Sequence, residues 1–103
     1  MGDQGFLCPW VDEKYGGMGA DFIFTVILSE EIRRIGAGMG GLGVHSSIVS
    51  PYISNFGTEE QKMKYLPDLM SGDTIIAVAM TEPGAGSDLA AISTTAIKDG
   101  DSY

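Results

Sequence analysis

Cysteine is nearly missing from this chain of 103 residues: Cys8 stands alone. A single thiol excludes an intrachain disulfide framework and a cage of cysteines around a metal, and it fits a reducing compartment. Cys8 reads better as a small packed apolar residue than as a nucleophile. Basic residues are scarce too, 6 against 14 acidic ones for a formal net charge of -8, so a nucleic acid partner is not expected because few cations are present to displace its counterions. Long apolar runs are also lacking. The longest, Ile75 to Met80, has six residues, whereas a spanning helix needs about 20. The opening Met1-Gly2-Asp3-Gln4-Gly5 carries neither a cationic leader nor an apolar core before a cleavage site, so export is not expected.

What is present suffices for one modest core, with 44% hydrophobic and 19% charged residues. Residues 5 to 20 mix Gly5, Pro9, Gly16, Gly17 and Gly19 with Phe6, Trp10 and Tyr15, the composition of an ordered, packed loop. Asp21 is placed to cap a helix whose apolar positions Ile23, Val26, Ile27, Ile32 and Ile35 recur at helical spacing, ending near Gly36. Glu30, Glu31, Arg33 and Arg34 form its solvated face. A second helix is expected over about Leu42 to Phe56, kinked at Pro51 and stopped by Gly57. A third follows the capping-box spacing Thr58-Glu59-Glu60-Gln61 and runs to about Ser71, with Pro67 bending its last turn before Gly72.

From Thr74 the pattern changes to a run that is apolar on both faces, Thr74 to Met80, as in a buried strand. A second strand is expected over Ile92 to Lys98, with a turn at Asp99-Gly100 and a return strand starting at Tyr103. The expected fold is therefore α+β: residues 1–72 the end of a helical domain, residues 73–103 the first strands of an antiparallel β domain.

Several chemical readings fail on context. Gly36 to Gly43 matches the dinucleotide pattern G-x-G-x-x-G, but a helix precedes it where that fingerprint needs a strand, so a helix-to-helix turn is the better reading. His45 has no second ligand at metal spacing and reads as a packed or capping histidine. Ser46, Ser47 and Ser50 lack the partners of a nucleophilic serine.

The segment Met80-Thr81-Glu82-Pro83-Gly84-Ala85-Gly86-Ser87-Asp88 combines hydroxyls at Thr81 and Ser87 with glycines at Gly84 and Gly86 at the mouth of a strand. Such a surface is rich in exposed donors and suits an anion or the polar edge of a flat ring. A plain glycine-rich turn with solvated Glu82 and Asp88 accounts for the residues equally well. On that second reading the chain is a small acidic interaction module without cofactor.

The run Met80 to Ala91 closely resembles the signature of the acyl-CoA dehydrogenases. Gly5-Phe6-Leu7, Glu13 to Gly19, Glu30-Glu31, Gly57 to Lys62, Tyr65-Leu66-Pro67 and Ser71-Gly72 agree with that family in order and spacing. The resemblance implies a flavoenzyme with an N-terminal helical domain, a middle β domain and a C-terminal helix bundle. It would convert an acyl-CoA thioester to trans-2-enoyl-CoA with FAD, usually as a homotetramer. The stretch Val78, Ala79, Met80, Thr81, Glu82, Pro83, Gly84, Ala85, Gly86 and Ser87 is then the cofactor-binding segment. In this family Thr81 meets the pyrimidine side of the isoalloxazine, and Ser87 lies near the FAD pyrophosphate or the bound acyl-CoA. The family's catalytic carboxylate has no match here. Electron-transfer flavoprotein is the implied electron acceptor, and the implied compartment is a bacterial cytoplasm or a mitochondrial matrix. Acyl-CoA oxidases share the scaffold.

Overall fold

A computed structural model describes residues 1–38 and 40–103; Met39, inside the glycine cluster, lies outside the described residues. Helix α1 spans Phe22–Arg34 and starts as its sequence requires, with the Asp21 carboxylate accepting from the Ile23 N–H at 3.1 Å. It ends at Ile35, followed by Gly36 at φ 68°. On its outer face Glu31 pairs with Arg34 at 3.1 Å. No residue of α1 is fully buried, and Phe22, Ile23, Phe24 and Ile27 are all exposed.

The expected second helix is composite. Helix α2 (Gly40–Gly43), a π-helical stretch (Val44–Val49) and helix α3 (Ser50–Phe56) follow one another, with right-handed helical backbone at the junctions Gly43, Val49 and Ser50. Pro51 explains the π stretch. It has no N–H to donate and its ring crowds the carbonyl of Ser47 one turn back. The ladder widens there instead, so that the Ser50 N–H donates to the carbonyl of His45, five residues earlier.

Helix α4 (Glu59–Ser71) has the complete capping box: Gln61 N–H donates to Thr58 Oγ1 at 3.2 Å, and Thr58 N–H donates to Gln61 Oε1 at 2.8 Å. Pro67 sits inside it. Gly72 ends it at φ 86°, with the N–H groups of Gly72 and Thr74 both donating to the Asp68 carbonyl.

The core lies where α4 meets the N-terminal loop: Cys8, Val11, Tyr15, Leu66 and Leu69 are buried, with Trp10, Ile53, Met70 and Ile76 packed around them. The loop is thus structural, as its aromatic content indicates. At Gly17 a Cβ would collide with the Val11 carbonyl, which is why this tight fold of the chain takes glycine.

The expected β domain is overturned. Among the described residues no strand forms; the β-type pairs are two isolated tight turns, Glu82 with Ala85 and Asp99 with Ser102. Strand structure is a paired state, and the donors of these segments are engaged elsewhere. Thr74 N–H goes to the end of α4, and Ile76 N–H donates to His45 Nδ1 at 3.3 Å. The consecutive N–H groups of Ser93 and Thr94 both donate to the Glu82 carboxylate. Consecutive N–H groups of a strand point to opposite edges, so one shared acceptor is incompatible with a ladder at that point. The Asp99-Gly100 turn does form, closed by the pairing of Asp99 with Ser102.

Candidate functional site

The segment singled out by its residues leaves the core at Ile76 and runs over the surface. Val78, Met80, Thr81, Pro83, Gly84, Gly86 and Ser87 are exposed, Ala79 likewise, Glu82 is half-buried and Ala85 is buried. Glu82, Pro83, Gly84 and Ala85 make a tight turn, closed by Glu82 N–H to the Ala85 carbonyl at 2.9 Å and Ala85 N–H to the Glu82 carbonyl at 3.1 Å. Pro83 suits its second position because its φ is already locked. A single turn of Leu89–Ala91 follows, and then Glu82 reaches forward to Ser93 and Thr94.

Gly84 and Gly86 are informative because nothing within the chain demands them. Neither has positive φ, and a Cβ on either would meet no atom within 4 Å. Turn geometry and internal packing would both admit a side chain there. The open ground above these glycines is the kind of surface on which the backbone can come close to a flat ligand. The exposed residues Thr81 and Ser87 flank it, and each carries a hydroxyl. A cavity of about 480 Å³ between α1 and α2, lined among others by Thr25, Ser29, Arg33 and Ser46, shares no residue with this segment.

Sequence reasoning missed how the segment is anchored. His45 is buried and bonds at both ring nitrogens: Nδ1 accepts from Ile76 N–H, which puts the ring proton on Nε2, facing the Leu69 carbonyl at 2.8 Å. One imidazole thereby ties the π stretch, the last turn of α4 and the start of the surface segment. The serines beside it are structural as well. Ser50 Oγ donates to the His45 carbonyl at 2.6 Å, and Ser46 Oγ accepts from the Cys8 N–H at 3.3 Å. The indole of Trp10 donates to the Ser46 carbonyl at 2.8 Å, an acceptor that Pro51 cannot satisfy. Cys8 is held against this turn at φ 46°, a strained value for a residue with a side chain, and burial pushes its thiol pKa up, so it is poorly suited to nucleophilic work. From sequence His45 is expected to be a packed or capping histidine, and its partners Leu69 and Ile76, 24 and 31 residues away, leave no local signal in the sequence.

The model of the acyl-CoA dehydrogenase N-terminal domain matches residues 1–73. The chain belongs to the acyl-CoA dehydrogenase family. An acyl-CoA dehydrogenase of Bacillus subtilis is 48% identical over 104 aligned residues, covering 100% of this chain and 27% of that protein. A mitochondrial long-chain specific acyl-CoA dehydrogenase of Mus musculus is 44% identical over 102 residues, covering 99% of this chain and 24% of the relative. The crystal structure of acyl-CoA dehydrogenase from Geobacillus kaustophilus is similar at a TM-score of 0.90 and 62% identity, covering 98% of this chain and 27% of that one. The chain thus spans about a quarter of the length of the acyl-CoA dehydrogenases it matches. Among the described residues no helix is long and apolar enough to cross a membrane, and no group of three metal-ligating side chains occurs.

Proposed function

We propose that this chain is part of an FAD-dependent acyl-CoA dehydrogenase that oxidises an acyl-CoA thioester to the trans-2-enoyl-CoA. The observation that carries the proposal is the surface loop Met80 to Ser87, where two glycines with no internal reason to be glycines lie between two exposed hydroxyl-bearing residues. On this reading residues 78–87 hold the cofactor, and the segment 73–103 is distinct from the helical unit of residues 1–72. FAD, when bound, supplies the acceptor for a hydride from the substrate. The task of these residues is to bind and orient it. Thr81 donates to the polar edge of the ring, where such a donor favours the negative charge that reduction brings. Ser87 addresses the phosphates or the thioester substrate. No residue of this chain is assigned the role of the base that removes the substrate α-proton. Electron-transfer flavoprotein as electron acceptor, a homotetrameric assembly, and a cytoplasmic or mitochondrial matrix location complete the proposal, consistent with relatives that come from bacteria and mitochondria.

The test uses the full-length parent. Thr81→Val keeps the side-chain shape but deletes one hydrogen-bond donor, a change of about 0.5 to 1.5 kcal/mol. It is expected to shift the flavin potential or weaken FAD retention. Ser87→Ala is expected to weaken acyl-CoA binding, FAD retention or both. Flavin content, potential and reduction by acyl-CoA are the measurements, and no change in any of them for either variant would remove the loop from the active site and restore the interaction-module reading.

A further inference from the structure

Glu82 belongs to the loop by sequence, but its carboxylate is turned inward along the chain. Oε2 accepts from the Ser93 N–H at 2.9 Å and from Ser93 Oγ at 3.0 Å, and Oε1 accepts from the Thr94 N–H at 2.9 Å. Both oxygens are therefore engaged, which leaves this carboxylate badly placed to abstract a proton or to meet a ring. Its partners lie 11 and 12 residues further along, so these bonds close a loop. Inside that loop sit Gly84, Gly86 and Ser87, and the Glu82–Ala85 turn pins its beginning. Two contacts with different residues, one at each end of the segment, restrict it far more than either alone.

The chemistry suits the task. An ionised carboxylate accepting from backbone N–H groups forms charge-assisted bonds, stronger than neutral ones. Hydrogen bonding from Thr94, then from the Ser93 N–H, lowers the Glu82 pKa to about 2, so the acceptor stays charged across the physiological range. A glutamine would replace one oxygen by an NH₂ group facing an N–H donor. An aspartate would fall short by one methylene.

We infer that Glu82 is a positioning residue that closes the loop of residues 83–92 on Ser93 and Thr94 and so presents Gly84 to Ser87 to the flavin. The inference rests on the proposed reading of this loop as an FAD contact. Glu82 acts through the backbone it holds, its carboxylate being taken up by Ser93 and Thr94.

The test compares Glu82→Gln, Ser93→Ala and Thr81→Val in the FAD-loaded full-length parent. Backbone amide exchange at Ser93 and Thr94 reads the loop closure; FAD retention, the flavin absorption spectrum and the flavin potential read its consequence. Glu82→Gln is expected to speed exchange at both amides by about tenfold or more and to weaken FAD retention severalfold with a shifted spectrum. Ser93→Ala, which removes one bond of the three, is expected to move the same readouts less. Unchanged exchange in Glu82→Gln would overturn the inference. So would faster exchange with all flavin readouts unchanged while Thr81→Val moves them, an outcome that leaves the FAD reading intact. If Thr81→Val moves none of them either, the FAD reading fails and the inference with it. Should Glu82→Gln not fold, Ser93→Ala decides by the same criteria.

Discussion

At the scale of the residue, His45 is the side chain on which most depends. It is buried, it links three parts of the chain, and its two bonds have opposite polarity: an acceptor toward Ile76 and a donor toward Leu69. Removing it strands a buried carbonyl and a partly buried N–H, each costing about 1 to 3 kcal/mol if left unpaired. His45→Leu is accordingly expected to lower stability by about 2 to 4 kcal/mol in chemical denaturation. Asparagine reaches about as far as Nδ1 and glutamine about as far as Nε2. His45→Asn should therefore retain protection of the Ile76 amide from exchange, and His45→Gln should lose it. Equal protection in the two variants would mean that the Nδ1 bond is not formed.

At the scale of the element, the clearest local rule is the cap of α4. Both reciprocal bonds of the box are made, and Glu59 and Glu60 place negative charge at the positive end of the helix dipole. The Tyr15 hydroxyl, and then Lys14, hold the Glu59 carboxyl below the usual carboxylate range. Thr58→Ala is expected to cost about 1 kcal/mol, read as a shift of the denaturation midpoint with an unchanged slope. The closed loop at Glu82 obeys a pH rule of definite sign. Its folded pKa is about 2, below that of an unperturbed glutamate, so its contribution is complete above the unfolded value of about 4.3 and is lost as pH falls from there toward 2. Amide protection at Thr94, corrected for intrinsic exchange, is expected to hold at pH 6 and to decline across that acid window at about one proton per molecule. A flat profile would place the loop under other control.

At the scale of the whole molecule, the apolar surface is extensive. Phe22 is 73% exposed, Phe56 80% and Ile35 75%, and the helical periodicity of α1 leads to no buried stripe of its own. Exposed apolar surface of this extent drives association in water. The 103-residue chain alone is expected to bind a hydrophobic dye and to self-associate with rising concentration in sedimentation. Phe22→Glu combined with Phe56→Glu should reduce both effects. A monodisperse, dye-silent chain would mean that these side chains find internal partners.

The sequence by itself determined what depends on neighbours a few residues away. The Asp21 cap, the Thr58 box, the stop at Gly72 and the disruption at Pro51 are all local in their physics, and each takes the form its residues require. The family was legible for a related reason, since the run Met80 to Ala91 and the shorter segments between Gly5 and Gly72 keep its order and spacing. Tertiary structure decided wherever a donor had to choose between distant acceptors. The apolar run Thr74 to Met80 has strand composition, yet its Ile76 N–H goes to an imidazole 31 residues earlier; in the run Ile92 to Lys98 the amides of Ser93 and Thr94 go to Glu82. Composition shows how well a segment suits a sheet, but hydrogen bonding requires a partner in space, and no periodicity names that partner.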